Sequence, residues 1–409
     1  MVKDSILIVE LTTAGAFGSA DKLIQGISIE GLAMVKALVA DAMAGNFDVH
    51  VVISSSIDRH SLFPGDAVHW HPVTANHSVK GVIHDLASIM AYGIVVAPEF
   101  GHFLEEYTGL LEASVHCLLT PSRKAVAAAS DKLASLERIS ARGVLVPAAQ
   151  SFPAFKRAPS VSFPVVVKPR FGAGCIGVFK VNGEKEIALV ASAEKRLGFT
   201  GSDLVVQQYI HGAPLSASVV AARGECFLLG INEQTIDVRS VGKGESKYSG
   251  GVVGPLHPGL RDACGKIARA IVDEMPMDGY FGFDFILDEH GNAVVVEINP
   301  RFTTSFVGLK ALQPFSFLRF MVDCKKKPGK PGIDHDAGFL AYTIFTMQHD
   351  ANRIAPLEQA RNDQRLHDLL VLPGPGEAVA AFLAAKGSTR DEAVARLASV
   401  VPSKDGLAK

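Results

Sequence analysis

Two carboxylates and one amide in the second half of the chain have the spacing of metal ligands. Asp284 lies in one strand-like run, and Glu297 and Asn299 lie in the next. If His290 and Gly291 form a two-residue turn, Asp284 falls directly opposite Glu297, and Asn299 shares their face because side chains alternate along a strand. Two carboxylates at that distance repel each other unless a cation lies between them, and oxygen ligands suit Mg²⁺ or Mn²⁺. We therefore predict a metal site on this hairpin, with a solvated polar face as the alternative.

A second group of residues has the pattern of a phosphate-binding loop. An apolar run ends at Lys168, and Gly172, Gly174 and Gly177 follow. Glycines let backbone N–H groups approach phosphate oxygens, and the lysine adds a positive charge. The pattern is not a Walker A loop, because no Gly-Lys-Ser/Thr sequence completes it. It predicts a strand–loop–strand flap over phosphates, and a plain glycine hairpin is the alternative.

The elements that would position these residues begin with an alternation of strands and helices in residues 1–120. Such alternation is typical of a doubly wound, Rossmann-like α/β domain. Glu10 and Glu99 directly follow two of the strands, at the carboxyl ends where such sheets bind ligands. The predicted elements are Ile6–Val9, Glu30–Ala44, Val49–Ile53 and Gly93–Ala97.

The composition excludes several classes of protein. The chain has 409 residues, 48% of them hydrophobic, with 40 Lys and Arg against 42 Asp and Glu. This length predicts roughly two to four domains, and the charge balance argues against a nucleic-acid partner. No signal peptide and no apolar run long enough to span a membrane is evident, so we expect a cytoplasmic protein with no membrane partner. The sequence leaves a homo-oligomer open.

Cysteines and histidines give no further site. The five cysteines lie too far apart for a zinc site, and their odd, sparse number is typical of a reducing compartment. Five histidines also lack convincing ligand spacing, and we expect them to be exposed or packed: His69, His71, His77, His349 and His367.

The metal hairpin and the glycine flap together resemble the ATP-grasp superfamily, over about residues 1–320. The resemblance implies mixed α/β and α+β structure, in which two α+β lobes clamp ATP behind the Rossmann-like domain. It implies a domain at 1–120, a first lobe with the flap at 121–213, a second lobe with the hairpin at 214–325 and a C-terminal extension at 326–409. The basic, Pro- and Gly-rich run from Cys324 to Gly332 predicts a linker before that extension.

The same resemblance implies roles for individual residues. Asp284, Glu297 and Asn299 match the magnesium ligands, and Arg301 and Lys168 match catalytic residues that contact the transferred phosphate or the substrate. Gln207 stands where the family often has glutamate, so the preference for ATP over another nucleotide stays open. The residues matched to nucleotide contacts are Lys132, Lys168, Gly172, Gly174, Gly177, Gln207, Gln208 and Ile210.

A narrower resemblance concerns the substrates. Four segments look like those of the tyramine–glutamate ligases of methanofuran biosynthesis: Ala97–Glu99, Ser130–Lys132, Tyr248–Gly251 and Glu297–Gly308. The resemblance implies a ligase in which a carboxylate attacks the γ-phosphate of ATP and an amine then attacks the acyl phosphate. The residues assigned to these small-molecule substrates are Glu10, Glu99, Tyr248, Gly250, Gly251 and Thr304.

Several alternatives remain from the sequence. For Glu10 and Glu99, the alternative to substrate binding is a loop or capping role. For Tyr248, the alternative is packing under a loop. Another ATP-grasp amino-acid or peptide ligase competes with the glutamate–amine ligase, and so does a nucleotide-binding regulator without catalysis. The complete set of Asp284, Glu297, Asn299 and Arg301 argues against the regulator, because a protein that only binds nucleotide has no need of both carboxylates.

Overall fold

A five-stranded parallel sheet forms the N-terminal part of the molecule. The computed structural model describes residues 3–17, 22–59, 67–197, 200–255, 258–327, 329–334, 337–348, 363–373 and 378–401, so that His349 lies outside the described residues. The sheet has the order β3-β2-β1-β4-β5. Its strands are β1 (Ser5–Glu10), β2 (Asp48–Ser54), β3 (Val68–Val73), β4 (Tyr92–Val96) and β5 (Cys117–Leu118). This parallel order is consistent with the predicted Rossmann-like domain.

Helices cover both faces of this sheet. The helix α1 (Lys22–Ala44) begins earlier than the sequence pattern predicts, and its buried residues pack against Ile6 and Ile8. Two further helices, α2 (Val79–Leu86) and α3 (Phe103–Glu112), cover the opposite face, where Leu7 and Val9 are buried. Parallel sheets are stable when both faces are covered, which explains the nearly continuous apolar composition of β1.

A four-stranded sheet in the order β6-β9-β7-β8 carries the glycine segment. Two helices precede it, α4 (Arg123–Ser130) and α5 (Lys132–Ser140). Asp131 caps α5, because its Oδ1 accepts hydrogen bonds from two backbone N–H groups, both at 3.1 Å. The remaining elements are β6 (Ala149–Ser151), α6 (Phe152–Arg157), β7 (Val165–Pro169), β8 (Phe179–Val181), α7 (Ile187–Leu197) and β9 (Leu204–Gln208).

An eight-stranded antiparallel sheet carries the metal hairpin, in the order β14-β13-β10-β11-β12-β15-β17-β16. Its first five strands in chain order are β10 (Gly212–Ala222), β11 (Glu225–Asp237), β12 (Lys247–Val253), β13 (Gly279–Asp288) and β14 (Ala293–Asn299). Between and after them lie α8 (Pro258–Glu274), α9 (Ser305–Leu312) and α10 (Phe317–Lys326). The region 326–409, which the sequence assigns to an extension, supplies the other three strands.

Those three strands are β15 (Phe339–Gln348), β16 (Asp368–Pro373) and β17 (Ala378–Gly387), followed by α11 (Arg390–Ala398). They join the sheet because β15 pairs with β12, with Val252 opposite Ala341. One apolar core runs from Leu38 of α1 through Phe306 of α9 to Phe382 of β17, all three fully buried. The C-terminal strands are therefore packed into the body of the protein. None of the helices within the described ranges is both long and apolar enough to cross a membrane.

Candidate functional site

The metal hairpin pairs Asp284 with Glu297, as the sequence predicts, although the turn differs from the expected one. Leu287 pairs with Ala293, so the connection is longer than the two-residue turn at His290 and Gly291. A β-bulge between Asp284 and Phe285 then shifts the register and brings Asp284 opposite Glu297. The bulge also changes which residues face the core.

The core side of the hairpin is aromatic. Phe281, Phe283 and Phe285 are fully buried beneath it, as the alternation predicts. The same alternation along the strand predicts that Val296 also faces the core, but Val295 takes that place and Val296 borders the cleft. This expectation was wrong because the bulge inserts one extra residue into β14.

Asp284 lies at the centre of the site. Asn299 Nδ2 donates a hydrogen bond to its Oδ2 at 3.2 Å, and Gln234 Nε2 donates to its Oδ1 at 3.2 Å. Burial raises the pKa of Asp284 to about 7, and the neighbouring Glu297 adds to the shift. This carboxyl is therefore close to half-protonated at neutral pH, which relieves the repulsion between the two acids.

Glu297 is stabilised in its charged form by two buried lysines. Its Oε1 is 2.9 Å from Lys132 Nζ. Burial by itself disfavours the carboxylate, but Lys132 and Lys168 outweigh that effect and lower the pKa of Glu297. Lys168 Nζ also donates to the Val296 carbonyl at 3.0 Å, and burial lowers the pKa of Lys168 to about 8, against the pull of Glu297. Lys132, at the start of α5, and Lys168, on β7, thus bring positive charge to the hairpin.

The glycine segment connects β7 to β8, which pair antiparallel, as a flap requires. Gly174 and Gly177 adopt left-handed backbone conformations, with φ of 65° and 69°. A Cβ on Gly174 would lie 2.7 Å from Ile27 Cγ2 of α1, so this position tolerates only glycine without a rearrangement. Lys132 Nζ donates to the Gly172 carbonyl at 2.6 Å. The flap is thus held against both the N-terminal domain and the lysine that contacts Glu297.

A first cavity lies between the flap and the large sheet. Asp284, Glu297 and the two lysines are the charged residues of its lining, and most of the other lining side chains are apolar. Gln207 is buried there, and within the described part of the chain its Nε2 has no hydrogen-bond partner. A buried donor of this kind suits an acceptor on a ligand. Of the residues matched to nucleotide contacts, Gly177 does not line this cavity. The others do: Lys132, Lys168, Gly172, Gly174, Gln207, Gln208 and Ile210.

A second cavity adjoins the first. The two cavities share six lining residues, so the carboxylates among them stand at the junction: Gly174, Cys175, Gln234, Ile236, Asp284 and Glu297. The second cavity is the more polar. Its other polar side chains are Glu30, Ser216, Tyr248, Asn299, Arg301, Thr303, Thr304, Ser305 and Tyr342.

Arg301 is oriented by one of the assigned substrate residues. Its Nε and Nη2 donate to the two carboxylate oxygens of Glu99, at 2.9 and 3.3 Å. Glu99 is itself buried, and it reaches the second cavity through this ion pair. A bidentate pair fixes the guanidinium plane, so Glu99 positions Arg301 at the cavity wall.

Glu10 serves the loop that follows β1, whereas Thr304 lines the second cavity. Glu10 accepts hydrogen bonds from the Thr12 and Thr13 backbone N–H groups, at 3.1 and 2.8 Å, which is the loop role that the sequence leaves open. Thr304 lines the second cavity and donates to Glu30 Oε2 at 2.6 Å. Burial raises the pKa of Glu30 to about 7, against that hydrogen bond.

Tyr248 lines the second cavity, whereas the two glycines after it serve the sheet. Tyr248 Oη is 2.5 Å from Tyr342 Oη of β15, and burial raises the pKa of Tyr248. A Cβ on Gly250 would lie 2.1 Å from the Tyr342 carbonyl oxygen, and one on Gly251 would lie 2.1 Å from the Glu233 carbonyl oxygen. Among the described residues, neither glycine lines the two cavities. Their role is therefore close strand pairing and not direct contact.

Six polar side chains of the second cavity were not assigned as site residues from the sequence: Glu30, Ser216, Gln234, Thr303, Ser305 and Tyr342. Glu30 lies in α1, Gln234 in β11 and Tyr342 in β15, far apart along the chain. Only the folded arrangement brings them together. A sequence signal exists for Glu30, because this acidic residue stands next to apolar residues at the start of the predicted helix Glu30–Ala44.

The comparison with known proteins identifies the class of fold. Residues 129–305 match the family model described as the ATP-grasp domain. That span contains the flap, Gln207, the metal hairpin and Arg301. Among solved structures, the L-amino acid ligase from Bacillus licheniformis is similar with a TM-score of 0.66 at 16% identity, over 99% of this chain and 98% of that one. The protein therefore has the ATP-grasp fold, which the sequence predicts.

Two curated relatives are similar over shorter segments. The D-alanine–D-alanine ligase of Francisella tularensis subsp. novicida (strain U112) is 27% identical over 143 residues, which are 34% of this chain and 45% of the relative. The tyramine–L-glutamate ligase of Methanocaldococcus fervens (strain DSM 4213 / JCM 15782 / AG86) is 29% identical over 108 residues, 26% of this chain and 34% of the relative. The matched segments span less than half the length of either relative.

Proposed function

We propose that the protein is an ATP- and Mg²⁺-dependent ligase that joins a carboxylate to an amine. The observation that carries this proposal is the position of Asp284 and Glu297 at the junction of the two cavities. A phosphate held at that junction by the lysines would face the second cavity, where an acceptor can bind. A protein that only bound nucleotide would need the first cavity alone.

The residues around the junction fit a nucleotide and a divalent ion. The unpaired Gln207 amide lies in the first cavity, as expected for contact with a base. Lys132 and Lys168 would offset the charge of the phosphates. Asp284, Glu297 and Asn299 offer the oxygen ligands that Mg²⁺ prefers, and the bound ion would neutralise charge on phosphate oxygens.

The reaction would proceed in two steps. An oxygen of the substrate carboxylate attacks the γ-phosphorus, the bond to the bridging oxygen breaks and ADP leaves. The amine nitrogen then attacks the carbonyl carbon, phosphate leaves and the nitrogen loses a proton, which yields the amide. Arg301, fixed by Glu99, is placed to stabilise negative charge on the substrate or the phosphoryl group. The flap would exclude water, which otherwise hydrolyses the acyl phosphate.

For the substrates, we propose glutamate and tyramine or a related amine, as in methanofuran-type coenzyme biosynthesis. The support is the similarity to the tyramine–L-glutamate ligase and the chemistry of the second cavity. Glu30 is an acid suited to an ammonium group, and Arg301 is a cation suited to a carboxylate. Tyr248 and Tyr342 offer hydroxyl groups that suit a phenol.

A different amino-acid or peptide ligase is the second candidate. Its support is the longer match to the D-alanine–D-alanine ligase and the similarity to the L-amino acid ligase structure over nearly the whole chain. Both candidates share the carboxylate–amine chemistry and differ only in what the second cavity accepts.

The proposal is tested by release of ADP and phosphate from ATP and Mg²⁺ in the presence of paired carboxylates and amines. Glutamate with tyramine should give release together with an amide of the summed mass less one water. Release with amino acids alone would favour the second candidate. No release with any pair would contradict a ligase.

A further inference from the structure

A cluster of three histidines and one aspartate lies far from the two cavities. Asp48 and His50 are on β2, and His69 and His71 are on the neighbouring strand β3, with His50 paired to His69. Paired residues of parallel strands and their alternate neighbours share one face, so all four side chains lie together. Asp48 pairs with Ser5, the first residue of β1, whereas Glu10 is the last residue of that strand. The cluster therefore lies at the opposite end of the sheet from Glu10 and from the proposed active site.

From the sequence, His69 and His71 are expected to be exposed or packed because they lack ligand spacing, and His50, 19 positions before His69, is not singled out. The fold removes that separation. His50 Nε2 is 3.3 Å from Asp48 Oδ2, and His69 Nε2 is 3.0 Å from Asp48 Oδ1. One ligand atom from each of these three residues lies within 4.8 Å of the others. Ligand atoms around a tetrahedral zinc ion, at bond lengths of 2.0–2.1 Å, are about 3.3 Å apart.

His71 contacts the second ring nitrogen of His50. Its Nε2 is 3.0 Å from His50 Nδ1, on the side of the ring away from Asp48. Metal-binding histidines characteristically donate their second ring N–H to an acceptor, which fixes the ring and its tautomer. The His50 side chain is only 13% exposed, whereas His69 is 55% exposed, so an ion has access from solvent to a rigid inner ligand.

We propose that Asp48, His50 and His69 bind one divalent transition-metal ion of the zinc type, with His71 orienting His50. Imidazole ligands favour zinc, copper and nickel over magnesium, so the site would select a different ion from the oxygen ligands of Asp284 and Glu297. Three protein ligands leave a fourth position for water. The ion would tie β3, the edge strand of the sheet, to β2. The proposal does not depend on the proposed ligase activity.

The test is a zinc titration of the whole chain after treatment with a chelator, in excess Mg²⁺ to occupy the oxygen ligands. The wild-type chain should bind one zinc ion with micromolar affinity or better. His69→Gln, a change at an exposed side chain, should weaken binding at least tenfold. His84→Gln is the matched control, because His84 is 86% exposed on α2, outside the cluster. Absence of zinc binding by the wild type, or equal binding by His69→Gln, would overturn the proposal.

A second pair of measurements separates ligand loss from misfolding. Zinc should raise the melting temperature of the wild type and of His84→Gln by more than that of His69→Gln, because a ligand stabilises the state that binds it in proportion to its affinity. His71→Phe keeps all three ligands and should lower zinc affinity by about 10–100-fold. A zinc-dependent shift of equal size in His69→Gln would contradict the ligand assignment, and unchanged affinity in His71→Phe would contradict the role of His71.

Discussion

Charge compensation among buried side chains dominates the site at the scale of residues. Lys132 and Lys168 stabilise the charged form of Glu297, and Glu99 pairs with Arg301. Asp284 has less compensation than Glu297, and its pKa rises to about 7 through burial and the neighbouring carboxylate. A buried carboxyl with a raised pKa is costly to keep, and such groups concentrate at functional sites.

Magnesium affinity should depend on pH through Asp284. Its pKa of about 7 means that the carboxyl is protonated below pH 7 and must lose its proton to bind a cation. Affinity should therefore rise as pH increases from about 6 to about 8, by up to tenfold per pH unit at the acidic end. Calorimetric titration of Mg²⁺ at several pH values measures this. Affinity that is flat or falls with pH would exclude Asp284 as a titrating ligand.

The raised pKa of Asp284 should also affect the stability of the protein without metal, and there a higher pH is unfavourable. Because the folded-state pKa lies above the ordinary value of 3.8, the folded state binds more protons than the unfolded state between about pH 4 and pH 7. The free energy of unfolding should fall as pH rises through that window. Asp284→Asn should reduce this fall, as measured by urea unfolding at each pH. A decline that is as steep in Asp284→Asn would assign it to another group.

At the scale of elements, the flap is held in place by glycine geometry. Gly174→Ala places a Cβ 2.7 Å from Ile27 and imposes a left-handed conformation on alanine, which costs about 1–2 kcal/mol. We expect weaker nucleotide binding, about 5–30-fold, measured as the Kd for ADP. Gly183→Ala is the control, because a Cβ there meets no atom within 4 Å. Equal ADP affinity in both variants would contradict a role for the flap conformation.

The hairpin shows how far the sequence predicts an element. The pairing of Asp284 with Glu297 was confirmed, but it depends on two features that compensate: a longer connection and a bulge beside Phe285. Alternation of apolar and polar residues determines which face is buried, and it carries little information about an inserted residue. The strand β3 was not predicted, because its two histidines and a proline interrupt the apolar pattern.

At the scale of the whole molecule, one core unites segments that the sequence separates. The domain limits near residues 120, 213 and 325 remain our interpretation of the sequence. Contacts cross these limits: Lys36 of α1 forms an ion pair with Asp368 of β16 at 2.6 Å, and Tyr342 of β15 lines the second cavity. Contacts between residues so distant along the chain leave no local pattern, which is why Glu30 and Tyr342 were not predicted as site residues.

Loss of a C-terminal core side chain should therefore destabilise the whole protein. Phe382 is fully buried against Tyr342, with ring centroids 5.6 Å apart. Phe382→Ala should lower the free energy of unfolding by about 3–5 kcal/mol. Ile89→Ala, at a side chain that is 70% exposed, should change it by no more than about 0.5 kcal/mol. Urea unfolding measures both, and a loss below about 1 kcal/mol for Phe382→Ala would mean that the C-terminal strands are not part of the common core.

In the proposed reaction, a carboxylate is phosphorylated at the junction of the two cavities. Glu297→Gln should reduce turnover by at least about 10²-fold, because it removes a charged ligand for the metal. Glu289→Gln, in the same hairpin with a side chain that is 81% exposed, should leave turnover unchanged. Activity that persists in Glu297→Gln would exclude the metal assignment.

The most direct measurement follows oxygen from the substrate to the phosphate. With glutamate labelled by ¹⁸O in its carboxyl groups, and with tyramine, ATP and Mg²⁺, we expect each released phosphate to carry one ¹⁸O atom, detected by mass spectrometry. Transfer should be absent in Glu297→Gln and normal in Glu289→Gln. Formation of the amide with unlabelled phosphate would contradict an acyl-phosphate intermediate, because the carboxylate would then not have attacked the γ-phosphate.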